Sequence, residues 1–128
     1  MSCSVPVSIG ELFDKYSILM IKEEKIKNKD QLKYVQEEKR SLENMKHTFQ
    51  IPPFLFQQLK SCNEQLWEIE DTIRKHEQNK LFDATFIETA RSVYFLNDKR
   101  AALKKEINVL FNSNIMEVKS YETYESNS

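Results

Sequence analysis

"FIETARSVYFLNDKRAALKKEI", residues 86–107, reads as one helix whose inward line changes character halfway along. Taken at helical spacing, that line runs Phe86, Ala90, Val93, Asn97, Arg100, Lys104, Ile107 and Phe111. Apolar residues occupy both ends, while the centre carries an amide and two cations. A face that ought to be core therefore has polar chemistry in its middle. A parallel line, Ile87, Arg91, Tyr94, Asp98 and Ala101, lies beside it on the same helix.

Working outward, the rest of the chain also reads as helix. A single glycine and three prolines argue against a β-rich fold, whose turns consume glycine. Ser8-Ile-Gly-Glu11 is a capping-box pattern that opens a helix at about 8–27. Asn28-Lys-Asp30 makes a turn and a new cap, and a second helix spans about 30–48 with Leu32, Val35, Leu42, Met45 and Phe49 on one stripe. Pro52 and Pro53 end that segment, and Pro53 suits the first turn of a third helix, about 53–79. This third helix carries Leu55, Leu59, Cys62, Leu66, Ile69, Ile73 and His76 in an unbroken 4-3-4-3 series. Asp83 caps the fourth helix, about 84–111, Asn112-Ser-Asn114 closes it, and 115–128 is a polar tail. The architecture expected is all-α: two antiparallel helical hairpins forming an elongated four-helix bundle, one domain over 1–128.

Bulk composition narrows the function. With 128 residues the chain can bury a core without a metal or disulfide staple. Nineteen basic and twenty acidic residues give a net charge of −1, so no overall field favours nucleic acid or an acidic membrane. No apolar run approaches the ~20 residues needed to cross a bilayer, and the N-terminus lacks a signal-peptide pattern. The expectation is a cytoplasmic protein. Cys3 and Cys62 are too few and too distant for a disulfide framework, and His47 and His76 have no second ligand at metal spacing, so neither cofactor nor metal is expected. Lysine outnumbers arginine 15 to 4, and this Lys, Ile and Asn bias points to an AT-rich coding genome such as that of many phages.

The polar residues on apolar helices are the functional candidates. In "LFDKYSILMI" the first helix is greasy around most of its girth, so Asp14, Lys15 and Ser17 are candidates for a polar pocket, with Lys22 on the strip of Lys15. The third helix adds Trp67 and an i, i+4 pair of Glu70 with Arg74. The fourth adds Arg91, Tyr94, Asn97, Asp98, Arg100 and Lys104. Three of the four arginines fall in these central stretches of a lysine-biased chain. Their planar fork matches a carboxylate or a phosphate in a way that lysine cannot.

"VSIGELFDKYSILMIK", "LWEIEDTIR", "FIETARSVYFLNDKRAALKKEIN" and the closing "EVKSY" together resemble a family of small helical proteins of bacteria and phages, a domain of unknown function. The resemblance covers nearly the whole chain and implies no established activity. What it implies is that Glu11, Asp14, Lys15, Lys22, Arg74, Arg91, Tyr94, Asn97, Asp98, Arg100, Lys104 and Lys119 belong to its recognisable blocks. "NEQLWEIEDTIR" also has the rhythm of the first helix of helical chorismate mutases, but the order of elements does not follow.

The expected function is a non-enzymatic binding protein for a small anionic, nucleotide-like ligand or sugar phosphate. Arg91, Arg100 and Lys104 would neutralise the anion, with Lys22 or Arg74 reaching in. Asp14 or Asp98 would accept from hydroxyls, and Tyr94 or Trp67 would stack. In a phage protein, the natural role would be to sequester a host immune signalling nucleotide in the host cytoplasm. Two other classes stand beside this one. A small enzyme, mutase-like or acting on a nucleotide sugar, would use the cationic seam to stabilise developing charge, with Glu88, Asp98 or Asp14 as base. A helical adaptor would use the stripe of the third helix as a seam, which predicts a homo-oligomer.

Overall fold

Four helices follow one another: α1 (Ile9–Lys25), α2 (Lys29–Thr48), α3 (Pro53–Gln78) and α4 (Ala84–Leu110). The computed structural model describes residues 1–112 and 118–124, and among them there is no strand. Ser8 Oγ accepts from the Glu11 amide at 3.1 Å and Asp83 Oδ1 from the Phe86 amide at 3.0 Å, so two expected caps set two helix starts. Pro53 occupies the first turn of α3, where its missing N–H costs nothing. The cap of α2 falls within the expected stretch Asn28-Lys-Asp30, at its first residue. Asn28 Oδ1 accepts from the Gln31 amide at 3.0 Å, which moves Asp30 into the first turn, where its charge still suits the helix dipole. At the far end of α4, Asn112 takes the left-handed conformation (φ 50°) that asparagine tolerates best among residues with a Cβ, and this ends the helix. Ser113 and Asn114, also expected to close α4, lie outside the described residues, as do the tail residues 115–117 and 125–128.

These helices form two hairpins, α1 with α2 and α3 with α4, packed as a four-helix bundle. α1 is its hub and touches all three others. Eight of its seventeen residues are buried, as a helix apolar around most of its girth requires. α2 leans on α1 and buries only Val35 along its length. The core consists of Phe13, Leu55, Leu59, Cys62, Leu103 and Ile107, with Ile9, Phe49, Ile51, Phe56, Leu96 and Phe111 packed against it. It draws on the start of α1, the first half of α3 and the last half of α4.

The stripe of α3 therefore divides in two. Leu55, Leu59 and Cys62 enter the chain's own core, so that half is not free to serve as a seam between copies. Leu66, Ile69 and Ile73 are only half-buried. At 1.5 Å per residue α3 is roughly 39 Å long and α1 about 25 Å. Lys25, the last residue of α1, pairs with Glu68 at 3.0 Å, so the final turns of α3 run on past it. There α3 and the start of α4 face each other as an overhanging hairpin, with Leu81, Phe82 and Ile87 exposed. Among the described residues no helix is long and apolar enough to cross a membrane.

Candidate functional site

The centre of α4 packs beside Cys62 and Asn63 of α3, and there the polar residues of three helices converge. Every residue of the line from Phe86 to Phe111 is buried or half-buried, including Asn97, Arg100 and Lys104. Their neighbours form two zones, a closed polar knot and an open cleft.

In the knot, Asn63 Nδ2 of α3 donates to Asp14 Oδ1 and to Ser17 Oγ of α1, both at 2.8 Å. Ser17 Oγ in turn donates to the Asp14 carbonyl at 2.7 Å. Lys104 Nζ lies 2.6 Å from Glu11 Oε2 and 3.8 Å from Asp14 Oδ2. Burial pushes the Asp14 carboxyl above its ordinary value, while the Asn63 bond and the charges of Arg100 and Lys104 pull it back. Among the described residues no buried side-chain nitrogen or oxygen lacks a partner. The knot is thus complete without a ligand. Its geometry depends on a close approach of backbones: the Gly10 amide donates to Asn108 Oδ1 at 2.6 Å. A Cβ on Gly10 would fall onto the Lys104 carbonyl oxygen and come within 2.9 Å of Asn108 Oδ1.

Arg100 belongs to both zones. Its guanidinium donates from Nη1 to Asn63 Oδ1 at 3.2 Å and from Nη2 to Asn97 Oδ1 at 2.7 Å. Both acceptors are neutral amides, and among the described residues no carboxylate lies within 4 Å of this cation. The same side chain lines a cleft of about 620 Å³ between α4 and the segment 118–121. Ala90 and Val93 give the cleft apolar surface, Tyr94, Asn97 and Asp98 share the α4 side with Arg100, and Lys119 and Tyr121 face it from the C-terminal segment. Tyr124 ties that segment down, its ring 5.5 Å from Tyr94 and 4.8 Å from Phe95. A second groove, of about 610 Å³ on the overhang, is lined by Glu68, Glu88 and several hydroxyls, and offers no cation to an anion.

The expected site residues separate accordingly. Asp14, Asn97, Arg100 and Lys104 come together, and Tyr94 and Asp98 join Arg100 at the cleft. Lys104 is buried and pairs with Glu11 and Asp14 in the knot, and it does not line the cleft. Lys15 points outward, 3.9 Å from Glu38, and Lys22 and Trp67 are half-buried away from the cleft lining. Arg74 makes its i, i+4 bridge to Glu70 at 2.8 Å on the surface. Arg91 is exposed and donates to Tyr94 Oη at 3.3 Å. Both arginines sit one residue past an inward position, Ile73 and Ala90, and one residue is a 100° turn away from the core.

Asn63 is the residue whose role was not anticipated, although it connects all three helices. Its signal was a lone amide four residues after Leu59, flanking the α3 stripe. Asn108, next to Ile107, was missed in the same way. Cys62 is the buried small hydrophobe expected: its thiol donates to the Leu96 carbonyl at 3.2 Å, and burial pushes its pKa up. Among the described residues no cluster of three or more His, Cys, Asp or Glu stands close enough to hold a metal.

The profile of a family of unknown function, DUF6165, matches residues 3–128, and the chain belongs to that family. No curated protein and no solved structure is found to match it.

Proposed function

We propose that this member of DUF6165 is a binding protein for a small anionic ligand, held in the cleft between α4 and the C-terminal segment. One observation carries the reading: Arg100 is a half-buried cation bonded to two neutral amide oxygens, and it lines an open cleft of about 620 Å³. Pockets of ~300–1,000 Å³ suit small molecules. Asn63 and Asn97 fix the plane of the guanidinium without cancelling its charge, which prepares it for an oxyanion. Lys119 supplies a second cation from the opposite side, and Asp98 is placed to accept from a ligand hydroxyl. Lys104, by contrast, holds Glu11 and Asp14 in place.

Melting curves with inorganic phosphate, pyrophosphate, sugar phosphates and nucleotides test the reading. A ligand at 100 times its dissociation constant adds about 2.7 kcal/mol to stability, which raises the melting temperature by several degrees. The expected result is such a rise with at least one anion in the native protein and none in Arg100→Ala. No rise with any of them at millimolar concentration, or an equal rise in the variant, overturns it.

A further inference from the structure

We infer that the ligand of this cleft carries a flat ring as well as its anionic group, so that the site takes a nucleotide or an aryl phosphate rather than a simple sugar phosphate. This rests on the anion reading and narrows it. The cleft has an aromatic side chain on each side: Tyr94 from α4 and Tyr121 from the C-terminal segment. Tyr94 packs on Phe95 at 4.8 Å and on Tyr124 at 5.5 Å between ring centroids, and this aromatic cluster holds its position. Tyr121 is different. It is 83% exposed, and the group packed on its ring is the Lys119 ammonium, 5.7 Å from the centroid.

An exposed tyrosine that keeps a cation at its face and borders a cleft has a π-surface to offer a ligand. Stacking is the interaction it can supply in addition to the charge of Arg100 and Lys119. A sugar phosphate would use the cations and Asp98 but leave both rings idle. A ring-bearing anion uses all of them, with the apolar surface of Ala90 and Val93 beneath it. The size agrees as well, since the cleft is larger than a phosphate or a pentose phosphate needs and falls in the range of drug-sized ligands.

Calorimetric titration of the whole chain with AMP, ribose 5-phosphate and adenosine separates the possibilities. AMP should bind about tenfold or more tighter than ribose 5-phosphate, the ratio expected of one stacking contact. Tyr121→Ala should remove that advantage, and Tyr121→Phe should keep it. Tyr121 is exposed, so neither change threatens the fold. Equal binding of AMP and ribose 5-phosphate overturns the inference and leaves the anion reading standing. Adenosine binding as tightly as AMP overturns the anion reading itself, as does the absence of binding by both phosphates together with every other anion of the melting series.

Discussion

Removing the Arg100 side chain strands two amide oxygens and takes one favourable charge from the surroundings of Asp14, which keeps its direct partners Asn63 and Lys104. Asn63 is buried and Asn97 half-buried, but Arg100 itself lines the open cleft, so water can take its place at both oxygens; at about 0.5–1.5 kcal/mol per lost bond, Arg100→Ala should cost roughly 1–3 kcal/mol in all. Arg91 touches only Tyr94 Oη from an exposed position, and Arg91→Ala should stay within about 0.5 kcal/mol of the native protein. Leu103 lies in the core with Leu59 and Ile107, where truncation to alanine leaves a cavity and costs about 2–5 kcal/mol. Melting temperatures should therefore fall in the order native, Arg91→Ala, Arg100→Ala, Leu103→Ala. An Arg100→Ala protein that melts well below Leu103→Ala would make this arginine a structural pin and remove the basis for a binding role.

At the scale of elements, the union of α1 with α4 depends on the one glycine of the chain. Gly10→Ala would drive a methyl group into the Lys104 carbonyl oxygen, a backbone atom that cannot swing aside. The helices would have to separate, stretching the bonds from Gly10 to Asn108 and from Lys104 to Glu11. Overpacking of this kind costs about 1–3 kcal/mol, measurable as a lowered urea midpoint with an unchanged slope. A variant as stable as the native protein would show that the contact between α1 and α4 gives easily. The helices themselves were legible because each carries its own start signal and stripe: Ser8, Pro53 and Asp83 act within a turn, and the line from Phe86 to Phe111 is set by local periodicity. The site was legible in part. Arg100, Asn97, Lys104 and Asp14 stood out as polar residues on apolar lines, but Arg74 and Arg91 each lie one residue off such a line. Asn63 was not legible, because its role depends on the meeting of α1, α3 and α4, and no single helix records that.

At the scale of the whole molecule, unequal helix lengths leave a step in the bundle. α1 stops opposite Glu68, so the core is three helices deep beside the polar knot and two deep beyond it. The other groove, lined by Glu68 and Glu88, lies at that step, whereas the cleft opens farther along α4, between residues 90 and 100, with the segment ending in Tyr124 lying across it. Amide resonances of the isotopically labelled protein, followed during titration with AMP and with ribose 5-phosphate, report on this arrangement most directly. The account predicts shifts concentrated on residues 90–100 of α4 and on 118–121, absent from Glu68, Thr72 and Glu88 of the other groove, and abolished by Arg100→Ala. Shifts centred on that other groove, or none at millimolar ligand, would contradict it.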